Sequence, residues 1–201
     1  MAKTIYTKGV TDVGEALFAH TLAPEEFNGK TTNKYSVMLK LAPKAEKALI
    51  EQIHAEWTKF TESEEGQKHK YKYEPSTGIK EYNDETYFKF KMTAVIHTRQ
   101  GKDWERHVPI FDAKCKEISG NTEELGNGSK VKVAYELVPF YMNDRNYGVS
   151  LRLTGIQVLK FEAQGESADA LGFGQEEGFT YHEEDNADVD VPFDTTEEGD
   201  F

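Results

Sequence analysis

The sequence predicts a mainly β fold, a small twisted sheet closed as a partly open barrel, with one helix and a disordered acidic tail. Three observations carry this. Several segments alternate apolar and polar residues with a period of two, one segment carries a helical stripe, and charge divides unevenly along the chain.

The first clear strand is "NKYSVMLKL": Tyr35, Val37, Leu39 and Leu41 point one way, and Lys34, Ser36 and Lys40 the other. A helix follows. Pro43 suits its first position, and Ala45, Leu49, Ile53, Trp57 and Phe60 recur at steps of four, four, four and three. That stripe packs on the sheet, which assigns Trp57 to the core. Residues 61–84 are polar and broken by Gly66, Pro75 and Gly78, the pattern of a long loop or insertion. Within it, "KHKYKY" alternates Lys68, Lys70 and Lys72 with His69, Tyr71 and Tyr73. A nucleic-acid flap and a solvated loop explain that segment equally well.

Strand structure resumes at "ETYFKFKMTAVIHTR", with Phe88, Phe90, Met92, Ala94 and Ile96 on one face and Tyr87, Lys89, Lys91, Thr93 and Arg99 on the other. A turn at Gly101 leads to "WERHVPIF", read as its hairpin partner. In "SKVKVAYELVPFY", Val131, Val133, Tyr135 and Leu137 face inward and Lys130 and Lys132 outward. Pro139 should end that strand or lie at an edge. The last strand is "YGVSLRLTGIQVLKF", where Gly155 marks a bulge.

Residues 161–201 hold no Lys or Arg and 14 Asp or Glu. Residues 1–160 therefore hold all 24 basic residues and 22 of the 36 acidic ones, so the net charge of −12 belongs to a tail on a nearly neutral body. The tail cannot bury enough apolar surface to offset chain entropy, and disorder is expected there. The domain division is thus 1–162 folded and 163–201 an interaction tail. Cys115 is the single cysteine, which fits a reducing compartment. No apolar run approaches membrane-spanning length and the start lacks a signal-peptide core, so a soluble intracellular protein is expected.

Catalytic motifs are missing. "GNGSK" lacks the consecutive residues of a phosphate loop, "GFGQEEG" has no preceding strand, and "DNADVDVPFD" lacks the glycine and final glutamate of a calcium loop. His20, His54, His97 and His107 have no metal-ligand spacing. The reading is no enzyme, no cofactor and no metal. The positive signal is lysine interleaved with aromatics, as single-stranded nucleic acid requires cations for phosphates and flat rings for bases. The candidates are Lys89 and Lys91 with Tyr87, Lys130 and Lys132, Arg152, and Phe140, Tyr141 and Tyr147 in "PFYMNDRNY". Phe140 and Tyr141 are adjacent, so at least one ring is exposed.

Together "MAKTIY", "FKFK", "GSKVKVAYELVPFY", "GVSLRLTGIQVLKF" and the terminal "EEGDF" resemble the single-stranded DNA-binding proteins of tailed phages, of the short-tailed coliphage type. The resemblance implies an OB-fold-like five-stranded partly open barrel with the helix inserted after an early strand, a basic and aromatic DNA face, and a homodimer. It adds Lys3 to the DNA-binding set and supports Phe140. Met142 stands near where the family has a tryptophan, with Tyr141 interposed. It also implies that the tail, through Glu197, Glu198, Asp200 and Phe201, docks on phage DNA polymerase and helicase-primase. The setting is replication, recombination and repair in the cytoplasm of an infected bacterium, with no membrane partner. The alternative is an acidic DNA mimic or adaptor occupying a partner's DNA-binding site.

Overall fold

The computed structural model of the chain describes residues 6–98, 101–119 and 123–163. In chain order the elements are β1 (Thr7–Val10), β2 (Gly14–His20), β3 (Glu26–Phe27), β4 (Lys30–Thr31), β5 (Lys34–Lys40), α1 (Pro43–Glu62) and a 3-10 turn at Gly66–Lys68. There follow β6 (Ile79–Tyr82), β7 (Glu85–Thr93), β8 (Val95–His97), β9 (Asp103–Glu105), β10 (Ile110–Phe111), β11 (Lys130–Asn143) and β12 (Asn146–Lys160).

Five strands pair in a ring: β2 with β5, β5 with β7, β7 with β12, β12 with β11, and β11 back to β2. Two seams of this ring are narrow. The β7 and β12 strands meet in parallel at Lys91 and Arg152, and β11 meets β2 at Gly14–Val131 and Glu15–Lys130. The mainly β, OB-fold-like architecture with one helix is therefore as the sequence predicts. Outside the ring, β1 pairs with β11, β6 with β7 and β10 with β12.

The inward alternation is observed as read. Tyr35, Val37, Leu39, Leu41, Phe88, Phe90, Met92, Ala94, Val131, Val133, Tyr135 and Leu137 are all buried. Leu49 and Ile53 of α1 join them, and Ala45 and Trp57 pack against the same core. Pro43 occupies the first turn as expected.

Four details differ from the sequence reading or resolve it. The 61–84 segment contains β6, turned into β7 by Asn83 and Asp84 at φ 50° and 60°, the paired positive angles of a tight two-residue hairpin. Ile96 is exposed because β8 leaves the ring after Ala94 to pair with β9. Only Trp104 and Glu105 of "WERHVPIF", with Asp103 before them, form that hairpin; Ile110 and Phe111 cross to β12, beyond Pro109, whose carbonyl accepts from the Ile156 N–H at 2.9 Å. Pro139 does not end β11. It is tolerated because β1 pairs only as far as Leu137 among the described residues, leaving Pro139 an edge position on that side. Gly155 sits at a bulge as read: Ala134 pairs with Gly155 and Tyr135 with Leu153, so Thr154 is the extra residue.

Candidate nucleic-acid interface

Alternation along β7 turns Lys89 and Lys91 to the outer face of the ring. Across the β5–β7 pairing they stand opposite Met38 and Ser36, and Lys34 stands opposite Thr93. The β6 strand adds Lys80, opposite Tyr87, and β12 adds Arg152, opposite Lys91. Lys80, Lys89 and Lys91 line a depression of about 170 Å³ together with Ser76, Ser150 and Phe140. A cationic floor and an aromatic edge thus share one concavity.

Two carboxylates hold parts of this face. Glu25 accepts from Lys89 Nζ at 2.8 Å and from the Ser36 hydroxyl at 3.3 Å. Burial pushes the Glu25 carboxyl up, but the Lys89 hydrogen bond and charge outweigh it, leaving its pKa below the ordinary value. Glu136 accepts from Arg152 at 3.1 Å and lies 3.5 Å from Lys8. The Arg152 guanidinium also covers the Tyr6 ring, 4.9 Å from its centroid. Burial holds the Lys91 ammonium below the usual lysine pKa, and Lys89 adds to the effect.

Phe140 borders a second cleft of about 470 Å³, between the end of α1 and the end of β11, with Tyr6, Lys59, Phe60, Pro139 and Tyr141. Behind it lies an aromatic cluster. Tyr141 stacks on His69 at 3.8 Å between centroids, and Trp57 stacks on Tyr147 at 5.6 Å. Tyr71 meets Trp57 and Tyr147 edge-on at 5.2 and 5.1 Å. Tyr147 is only 2% exposed, and its hydroxyl accepts from the Tyr73 N–H at 2.5 Å and donates to the Tyr73 carbonyl. The "KHKYKY" segment is therefore fastened by its rings, with Lys72 paired to Asp144 and Lys68 and Lys70 in solvent.

Of the sequence-predicted contacts, the fold brings together Lys89, Lys91, Arg152 and Phe140. It removes two. Tyr147 is buried as a clamp, and Tyr87 is 7% exposed, donating to Glu85 at 3.1 Å and packed edge-on against Tyr82. Lys130 and Lys132 lie toward the other end of β11 from Phe140: Lys130 pairs with Glu15 at 2.8 Å, and Lys132 borders an apolar depression with Val10 and Phe111. Tyr141 is half-exposed but engaged with His69. Lys3 and the tail residues Glu197, Glu198, Asp200 and Phe201 lie outside the described residues. Sequence reading missed Lys34, Lys80, Tyr6, Glu25 and Glu136 as parts of this face. The Asn-Asp pair between alternating residues was the available signal for β6, and hence for Lys80.

Among the described residues no group of His, Cys, Asp and Glu is placed to hold a metal ion, and no helix is long and apolar enough to cross a membrane.

A family model described as the ssDNA-binding protein of Enterobacter phage Enc34 matches residues 7–189. Among solved structures, gp2.5, a single-stranded DNA-binding protein encoded by bacteriophage T7, is similar at 20% identity and a TM-score of 0.61, covering 89% of this chain and 100% of its own. The bacteriophage Enc34 single-stranded DNA-binding protein is similar as a C-terminal truncation, at 14% identity and a TM-score of 0.56, over 82% of this chain and 95% of that one. The same protein in complex with ssDNA is similar at 15% identity and a TM-score of 0.56, over 81% and 96%. At these identities the likeness to the solved structures is one of fold. No curated protein sequence matches the chain.

Proposed function

The chain belongs to the family of the Enterobacter phage Enc34 ssDNA-binding protein, and on that premise we propose that it coats single-stranded DNA without reading sequence. The strand lies along Lys34, Lys80, Lys89, Lys91 and Arg152, with a base stacked on Phe140. The observation that carries this reading is the depression shared by Phe140, Lys80, Lys89 and Lys91. Cations neutralise phosphates there while the ring accepts any base, since every base has a π face. Arg152 and Lys89 enter already paired with Glu136 and Glu25, so phosphate replaces carboxylate rather than water. No catalytic step, cofactor or metal is part of the proposal.

The activity belongs to replication, recombination and repair in the infected host's cytoplasm. The acidic segment 163–201, with Glu197, Glu198, Asp200 and Phe201 at its tip, recruits phage DNA polymerase and helicase-primase, and the protein acts as a homodimer. The basic outer face of the ring supports DNA binding over the alternative of a DNA mimic.

Fluorescence titration with oligothymidylate at low and moderate salt tests the reading. Affinity falls with salt by about 0.7 in logarithmic slope per phosphate contacted, and duplex of the same length binds more weakly. Equal affinity for duplex and single strand, or no binding, overturns it. Deleting residues 170–201 leaves ssDNA affinity unchanged or raised and abolishes polymerase capture.

A further inference from the structure

Phe27 is 71% exposed, at the tip of the β3–β4 hairpin. Asn28 and Gly29 close that hairpin at φ 51° and 71°, the two positive angles of a tight turn that matches strand twist. Phe27 and Lys30 are register partners, so an exposed ring and an exposed ammonium project from the same side of a short ribbon.

The ribbon is fixed to the lysine face at its base. The Glu25 N–H donates to the Lys34 carbonyl at 2.7 Å, and the Glu25 carbonyl accepts from the Thr32 N–H and hydroxyl, each at 2.8 Å. The Glu25 carboxylate reaches down to Lys89 and Ser36. Alternate residues of extended chain point the same way, so Phe27 projects to the side on which Glu25 meets Lys89. Lys34 stands opposite Thr93, four residues along β7 from Lys89, or about 13 Å at strand rise. Phe140 marks the Lys80–Lys89 end of the face, and Phe27 rises from the Lys34 end.

We infer that Phe27 is a second base-stacking position, with Lys30 as its phosphate contact, at the end of the lysine face away from Phe140. This rests on the reading of that face as an ssDNA surface. The bound strand runs from one ring to the other over Lys89, Lys91 and Lys34, and an oligomer must exceed a minimum length to touch both.

The test uses the full chain and oligothymidylates of increasing length, from four nucleotides to twenty, followed by anisotropy. Phe27 is solvent-exposed, so Phe27→Ala, Phe27→Leu and Phe27→Trp retain the wild-type melting curve. Phe27→Ala and Phe27→Leu bind the long oligomers about tenfold more weakly, the loss of one stacked base, and bind four-nucleotide oligomers as the wild type does. Phe27→Trp stays within about twofold of wild type at every length, since an indole stacks as a phenyl ring does. Unchanged affinity of Phe27→Ala at all lengths, a loss rescued by leucine, or a loss equal at all lengths overturns the inference while leaving the binding reading standing. If the unmodified chain binds no oligomer, the reading itself falls and the inference with it.

Discussion

Lys91 and Arg152 face each other at the register pair that joins β7 to β12 and so closes the ring. This is one of the two narrow seams of the ring. Arg152 is compensated by Glu136 at 3.1 Å, whereas Lys91 is held below the usual lysine pKa by burial and by Lys89, Lys80 and Lys34, with Glu25 only partly opposing. A phosphate beside Lys91 offsets the repulsion from Lys89, Lys80 and Lys34.

Lys91→Met therefore loses affinity with little change in stability. The folded pKa of Lys91 lies below its unfolded value, so at neutral pH the charged side chain carries its full penalty in the folded state. Stability then rises as pH climbs from the folded value toward the unfolded one. The variant melts close to wild type at pH 7, because the Lys91 side chain lies in solvent and its penalty is screened, and it lacks that alkaline rise. Its oligothymidylate affinity drops, with a logarithmic salt slope smaller by about 0.7. Calorimetry across pH and salt-dependent titration read the two effects separately.

Glu25 acts as an internal competitor. It holds Lys89 at 2.8 Å, and incoming phosphate must displace it. Glu25→Gln keeps the shape and removes the charge, so ssDNA affinity at low salt rises about threefold, a gain of the order of one exposed charge contact. Stability moves the other way. The folded pKa of Glu25 is depressed, so its stabilisation is present above the unfolded value and is lost as pH falls through the folded one. The variant is less stable than wild type at pH 7, and the two converge in acid; melting curves at pH 7 and pH 3 check this.

The ring strands were legible because half-buried strands advertise themselves: Val37 and Leu39, Phe88 and Phe90, and Val131 and Val133 alternate without interruption. The lysines alternating with Phe88 and Phe90 followed from the same period, which puts Lys89 and Lys91 on the outer face. The burial of Tyr147 and Tyr87 did not follow from it, since alternation says which way a ring points but not what later folds over it. The 69–78 segment covers Tyr147, and β6 brings Tyr82 onto Tyr87. Lys34 joined the face only through the pairing of β5 with β7, strands distant in sequence, whereas Lys80 was signalled locally by the Asn83–Asp84 turn.

Phe140 and Tyr147 look alike in sequence and differ in the fold, which gives a paired prediction. Phe140 borders both the lysine depression and the aromatic cleft, so Phe140→Ala weakens oligothymidylate binding by about tenfold, the loss of one stacked base, with little change in melting. Tyr147→Phe removes the hydroxyl that both accepts from and donates to Tyr73. It lowers unfolding free energy by about 1–2 kcal/mol in urea titration and leaves affinity within about twofold of wild type. Reversal of the two outcomes would move the stacking position to Tyr147.

Gly148 ties the 69–78 segment to β12 and gives the last prediction. The Ser76 N–H donates to the Tyr147 carbonyl at 2.9 Å and the Val149 N–H to the Ser76 carbonyl at 2.8 Å, which brings two backbones together at a residue with φ 145°. A Cβ at Gly148 would stand 2.0 Å from the Ser76 oxygen, a backbone atom that cannot swing aside. Gly148→Ala therefore displaces the segment and costs more than about 2 kcal/mol, from strain plus two lost hydrogen bonds. Ser76 and Gly78 also line the lysine depression, so the same change lowers ssDNA affinity severalfold. Gly101 separates the causes: it has φ 74° but nothing within 4 Å of a built Cβ. Gly101→Ala bears the conformational cost of about 1 kcal/mol without the clash, and it leaves affinity unchanged. The difference between the two alanine variants in urea unfolding and in titration measures what the Ser76–Gly148 contact contributes to the fold and to the DNA face.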